Sequence, residues 1–303
     1  MIVREQLLSR EALHELTRLR PIRPLLDTLF CWVYISACWT ACALWPHWWS
    51  ISLAIPVIGS RYYALFIIGH DAFHRRLFQN ASLNDRFADL FIFGPIGAIT
   101  RLNKHNHLAH HVHLSTLEDP DRHKHTCFSH ATSKQLWGFL TGFTSVSKTL
   151  KNVFGQKQSS RFYHWTDLLI LAVWQLGLIA GLSYFIAWWA YPLLWLLPVY
   201  LFTYLGDNLR SFAEHSQPYH DSEGDKNRLI TYLSNPVERW FIAPMHMNYH
   251  AVHHLWPSIP YYNLPKADRL VRQRDPCELE WRGSYLAYLF RYARSQPLKE
   301  CLH

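Results

Sequence analysis

The sequence predicts an all-α integral membrane protein, with four transmembrane helices paired into two hairpins and a helical cap on the cytosolic side. Two observations predict it. No Asp, Glu, Lys or Arg occurs from Thr28 to Ser60, nor from Leu168 to Gly206. The polar, histidine-rich stretches fall between and after these blocks. Hence a chain that is 50% hydrophobic and 16% aromatic still has a mean hydropathy of only −0.10.

A bilayer core about 30 Å thick takes about 20 apolar residues per helix. Each charge-free block is therefore too long for one crossing and suits a helical hairpin. The breaks fall where hairpins need them, at "WPHWWS" (45–50) and "WWAYP" (188–192), and their aromatic residues fit an interfacial belt. The spans are predicted near 27–45, 50–69, 167–189 and 192–207. The cap comprises 70–166 and 208–303, so that 1–303 is a single membrane domain. A soluble fold would have to bury both blocks completely.

Orientation follows from charge. Both hairpin loops lack Lys and Arg, whereas Arg4, Arg10, Arg18, Arg20 and Arg23 precede the first span. The positive-inside rule then puts both termini and the histidine clusters in the cytoplasm. The net charge of +8 is explained by anionic lipid headgroups and needs no nucleic acid. An acidic redox or carrier protein would fit the same surface. Residues 1–24 carry charge throughout and do not read as a signal peptide. Cys31, Cys38, Cys42, Cys127, Cys277 and Cys301 form no CxxC pair, which predicts free thiols in a reducing compartment. Arg61 is unusual within a span and reads as snorkelling toward the cytosolic interface, with binding of a carboxylate or phosphate headgroup as the alternative. "RFADLFIFGPIGAIT" (86–100) reads as an interfacial helix and turn.

The histidines repeat one design. "GHDAFH" spaces His70 and His74 as i, i+4. "HLAHH" spaces His107, His110 and His111 as i, i+3, i+4, and "HAVHH" gives His250, His253 and His254 the same spacing. Residues three and four apart share a helix face, so each triplet covers an arc of about 100°. Neutral imidazole is the commonest metal ligand, and such an arc lets several rings converge on one ion. In "HNHLAHHVH" (105–113) the same phase turns His105 and His113 away. "RSFAEH" (210–215) adds His215, with Glu214 beside it as an outer acceptor.

At these residues the sequence resembles the membrane fatty acid desaturase superfamily, integral-membrane di-iron enzymes with three histidine boxes. The matching pieces are "GHDAFH", "HNHLAHH" with "EDPDR", "RSFAEH" and "NYHAVHHLWPSIPYYNLP", in an order that covers about 25–270. The resemblance implies two irons, O2 as co-substrate, a lipid-like chain attacked at an unactivated C–H bond, and a cap holding a dimetal site. It implies the ligands His70, His74, His107, His110, His111, His215, His250, His253 and His254. Where some members carry an Asn one turn before the ninth histidine, this chain has Ser211. Asp71, Glu214, Asp119 and Asp121 lie close enough in sequence to accept hydrogen bonds from the ligand rings.

No haem segment, iron–sulfur cysteine pattern or GxGxxG fingerprint is present in the sequence. Electrons are therefore expected from a separate ferredoxin, rubredoxin or cytochrome-type protein. Acyl desaturation is the leading reading. Oxidative decarboxylation to a terminal alkene, and hydroxylation of a fatty acid, alkane or carotenoid, are the alternatives within the same resemblance. A metal transporter with histidine-rich loops is the reading from another class. It predicts ionisable residues within the spans, which are almost bare of them.

Overall fold

The computed structural model describes residues 4–114, 116, 118–121, 138, 141, 163–215, 229–275 and 279–295. Cys127, Cys277, Cys301 and most of the cap segment between 122 and 162 lie outside them. In chain order the helices begin α1 (Arg4–Leu7), α2 (Arg10–Leu16), α3 (Ile22–Leu44), α4 (Trp48–Phe73), α5 (Ala81–Ala88), α6 (Thr100–His113) and α7 (Trp165–Phe185). There follow α8 (Leu205–His215), β1 (Ile230–Tyr232), α9 (Pro236–Phe241), α10 (His250–Leu255), α11 (Leu264–Arg274), β2 (Glu280–Arg282) and α12 (Tyr285–Ser295). The chain divides into two compact units. An apolar unit comprises Leu19–His105 and Leu150–Gly206; a histidine unit comprises Met1–Arg18, Asn106–Thr149 and Asp207–His303.

In the apolar unit, α3, α4 and α7 are each long and apolar enough to cross a membrane. Helix α4 forms the core, with Ile58 to Ile68 buried except for Phe66. Helices α3 and α7 instead expose apolar faces, among them Leu26, Leu29, Val33, Val173 and Leu176. Contiguous apolar surface of that extent marks contact with lipid or partner rather than water. The expected fourth crossing, 192–207, differs in form. It contains two wide π-helical stretches, Pro192–Leu196 and Val199–Tyr204, before α8.

Proline explains the widening. Pro198 has no N–H to offer the carbonyl four residues back. That carbonyl, of Leu194, accepts instead from Trp39 Nε1 at 3.2 Å. The stretch after α5 repeats the device, with a π-helical Asp89–Phe93 followed by a 3₁₀ turn, Gly94–Ile96. Its carbonyls meet indole donors: Trp174 to Leu90 at 2.7 Å, Trp32 to Phe91 at 2.9 Å and Trp195 to Pro95 at 3.0 Å. Part of the tryptophan load in this chain thus satisfies backbone that an ordinary α-helix would satisfy itself. The 86–100 stretch is accordingly more buried than a simple interfacial turn, with Ile92, Phe93, Gly94 and Pro95 inside.

Gly59 admits the Phe202 ring against the α4 backbone. A Cβ there would fall within that ring and 2.8 Å from the Pro198 carbonyl oxygen. Gly59→Val is expected to cost about 1–3 kcal/mol through overpacking, measured as a lowered Tm in lipid nanodiscs. Arg61 is buried, with 4% of its surface exposed, and so does not reach out as a snorkelling side chain would.

Among the described residues, the histidine unit departs from an all-helical expectation at one strand pair. Ile230–Tyr232 pairs in parallel with Glu280–Arg282. Around this pair sits a core of Phe212, Ala213, Ile230, Tyr232, Ala243, Tyr285 and Tyr288. Asn248 ties the pair to the entry of α10, its Nδ2 donating to the Tyr232 carbonyl at 2.7 Å while the Tyr232 N–H donates to the Asn248 carbonyl at 2.9 Å. Between them, Met245 and His246 both hold positive φ, a conformation costing of order 1 kcal/mol or more per non-glycine residue. Asn263 Nδ2, donating to the Leu16 carbonyl at 2.7 Å, fastens α2 to the start of α11.

Candidate metal centre

Helix α6 begins where Asp89 Oδ1 accepts the Thr100 N–H at 2.6 Å, and it runs unbroken through all five histidines of 105–113. His105 is exposed, and His113 pairs with Glu118 at 3.1 Å on the surface. The other three do not converge on one point. Neighbouring residues of a helix lie about 100° apart, and the HH pairs of α6 and α10 are divided by that angle.

His107, His111 and His253 bring their ligand atoms within 4.8 Å of one another, and so, separately, do His110, His215 and His254. In the first set His111 Nε2 lies 3.0 Å from His107 Nε2 and 3.2 Å from His253 Nε2. Beside the second set, His250 Nε2 lies 2.9 Å from His215 Nε2. Helix α8 supplies His215, and α6 and α10 each supply both sets.

These separations fit a metal ion. Two imidazole nitrogens about 2.0–2.1 Å from one ion, and at right angles across it, stand about 3 Å apart. Hydrogen bonding alone does not account for them. His111 Nε2 has one lone pair or one proton in the ring plane, and two other Nε2 atoms face it. His254 is 6% exposed, and its Nε2 has no hydrogen-bond partner among the described residues, an expensive state for a buried polar atom. Burial, with His111, His250, His215 and His110 around it, holds the His254 ring well below the usual histidine range and therefore neutral. A neutral ring is the ligand form.

Two carboxylates reach this second set. Asp119 Oδ1 lies 2.9 Å from His110 Nδ1 and accepts the Asp121 N–H at 2.8 Å. A proton on Nδ1, shared with Asp119, leaves the Nε2 lone pair of His110 available. Asp121 contributes here through its backbone. Glu214 Oε2 lies 3.4 Å from His250 Nδ1, so the acceptor beside His215 in sequence faces His250 in space. Burial raises the Glu214 carboxyl, while Arg210 and the Tyr285 hydroxyl, donating to its two oxygens, favour the ionised form. Ser211, one turn before His215, is buried.

His70 and His74 belong to the apolar unit. They lie on successive turns at the end of α4, ring centroids 5.5 Å apart. Asn84 fixes this end, its Nδ2 donating to the Ala72 carbonyl at 2.9 Å and its Oδ1 accepting the Leu77 N–H at 3.2 Å. Burial first, then Arg76 and Lys104, takes His74 down to about 3. Asp71 is buried, but its Oδ1 is 4.0 Å from His70 Nδ1, too long for a hydrogen bond.

The chain with these histidine sets, and with three long apolar helices among its described residues, is matched by a family model described as fatty acid desaturase over residues 43–285. The chain belongs to the fatty acid desaturase family. It is accordingly an oxidoreductase. Dihydrorhizobitoxine desaturase of Bradyrhizobium elkanii is 28% identical over 95% of this chain and 87% of that protein. A beta-carotene ketolase of Paracoccus sp. is 26% identical over 76% of this chain and 88% of the relative. An sn-1 acyl-lipid omega-3 desaturase (ferredoxin) of Nostoc sp. is 23% identical over 71% and 65%.

Within this desaturase-family chain, sequence reading overlooked two residues at the second set. Arg210 Nη1 donates to Glu214 Oε2 at 2.7 Å, and Tyr285 OH donates to Glu214 Oε1 at 2.5 Å. The i, i+4 spacing of Arg210 and Glu214 carried a readable signal. Tyr285, 71 residues away from Glu214 in sequence, carried none.

Proposed function

We propose that the chain is an acyl desaturase that uses O2 to remove two hydrogens from neighbouring carbons of a fatty acyl chain. The observation that carries this reading is the division of an all-imidazole donor set into two groups, in a chain of the desaturase family. In this reading His70, His74, His107, His110, His111, His215, His250, His253 and His254 hold two irons. Imidazole donors suit several metals, so iron rests on the family. Bound iron would supply the activation of O2 needed to break an unactivated C–H bond. The balance is one O2, two hydrogens from the chain, and two electrons with two protons from a donor, giving a double bond and two waters.

The protein's own groups do the rest. Asp119 and Glu214 orient the His110 and His250 rings and offset positive charge among neutral ligands. Four spans, near 27–45, 50–69, 167–189 and 192–207, hold the chain in the bilayer as one domain. Both termini and the histidines are cytoplasmic, as the charge asymmetry supports. The acyl chain enters from lipid. A separate electron-transfer protein delivers the electrons, and the named ferredoxin link of the Nostoc relative favours a ferredoxin among the candidates.

Because the relatives include ketolases, addition of oxygen is the second reading. Which outcome follows depends on where the substrate carbon sits, and a misplacement of about 1 Å is enough to redirect such chemistry. The test supplies membranes containing the protein with reductant, O2 and an isotopically labelled fatty acid pool. Mass spectrometry is expected to find products two hydrogens lighter. Products gaining oxygen would replace desaturation by hydroxylation or ketolation, and loss of CO2 would replace it by decarboxylation.

A further inference from the structure

We propose that Tyr285 is a positioning residue for the metal centre, fixing Glu214 so that His250 keeps its proton on Nδ1 and presents Nε2 as a ligand. This rests on the reading of His110, His215, His250 and His254 as metal ligands. It adds two residues, Tyr285 and Arg210, and a specific task for each.

The geometry sets up a competition at one atom. His250 Nδ1 has two neighbours, Arg210 Nη1 in hydrogen-bond geometry at 3.3 Å and Glu214 Oε2 at the ion-pair distance of 3.4 Å. They demand opposite tautomers. Glu214 is an acceptor and needs a proton on Nδ1. Arg210 has only donors, so a bond from it would place the ring proton on Nε2. Nε2 is the atom 2.9 Å from His215 Nε2, and a proton there blocks ligation. The hydrogen bond made by one ring nitrogen therefore decides what the other can do.

Tyr285 weights the outcome. Its hydroxyl holds Glu214 Oε1 at 2.5 Å, leaving Oε2 for Arg210 at 2.7 Å and for the ring. Arg210 is in turn restrained through Nη2 by Asp207 Oδ1 at 3.0 Å. Tyr285 is itself built in. Its ring stacks on Tyr232 with centroids 3.9 Å apart, and Tyr232 OH donates to the Ala213 carbonyl at 3.0 Å, next to Glu214. Glu214 and Tyr285 are both fully buried, so water does not substitute readily for a lost hydroxyl. Without that hydroxyl, the carboxylate loses a donor on Oε1 and is free to turn away from the ring, which leaves Arg210 as the partner of His250 Nδ1.

The test compares the full-length wild type with Tyr285→Phe, Glu214→Gln and Tyr288→Phe in nanodiscs. Phenylalanine keeps the ring that stacks on Tyr232. Tyr288 lies one turn further along α12 in the same core and serves as the packing control. Anaerobic ferrous iron titration is expected to show about tenfold weaker binding of one of two equivalents in Tyr285→Phe, within the range for losing an outer hydrogen-bond partner of a ligand. Mössbauer spectra of the ⁵⁷Fe-loaded protein are expected to shift one iron doublet and leave the other. Glu214→Gln should weaken the same equivalent, and Tyr288→Phe neither. Wild-type binding and spectra in Tyr285→Phe or in Glu214→Gln would overturn the proposal, as would an equal loss in Tyr288→Phe. A His254→Ala variant separates the levels. If it keeps both irons, the ligand reading itself fails; if it loses one while Tyr285→Phe is unaltered, only the role of Tyr285 fails.

Discussion

Alanine at His254 is expected to remove one metal ion per chain and to reduce O2-dependent turnover by more than about 100-fold. Outer partners of metal ligands typically cost 10–100-fold when removed, and His254 is proposed as a ligand itself. Its ring stacks on His111 at 4.1 Å and lies 4.4 Å from the His250 ring and 4.8 Å from the His215 ring. The deletion therefore opens a hole at the junction of both sets. Its buried Nε2 has no protein partner among the described residues, so no protein hydrogen bond is lost at that atom. A loss of metal without a large loss of fold is the expected signature, measured by metal analysis alongside Tm. A fully active variant would remove His254 from the centre.

Removing the metal altogether is expected to have the next largest effect. Chelation should abolish turnover, restore it on adding ferrous iron but not zinc, and lower Tm by several degrees. The cause is mass action on the folded state, since an ion that binds only the folded chain stabilises it. Stripped of an ion, each set leaves imidazole nitrogens facing one another at 2.9–3.2 Å. A chain whose Tm is indifferent to chelation, and whose activity survives it, would refute the metal assignment.

How legible these features are in the sequence varies with the physics behind each one. Long apolar helices are readable because they depend only on composition over some twenty residues. The charge-free blocks locate α3, α4 and α7, each beginning two to five residues before the expected 27, 50 and 167. The π-helical form of 192–204 was less readable, since it depends on which side chains meet the carbonyls that proline leaves open. The β1–β2 pair escaped because three-residue strands are too short to show alternation. Helix phase turns His105 and His113 away from the shared face; His105 is exposed, and half-buried His113 pairs with Glu118. The arc of about 100°, expected to let each triplet converge on one ion, instead divides His110 from His111 between two sets. Tyr285 and Arg210 show the limit: their roles arise only when α8, α10 and α12 come together around Glu214.

The most direct test of the central claim is to measure metal content and O2 uptake together on the purified protein. The account predicts about two irons per chain and O2 consumption that requires both a reductant and an acyl substrate. Zinc as the bound metal, moved across the membrane with no O2 consumed, would contradict it.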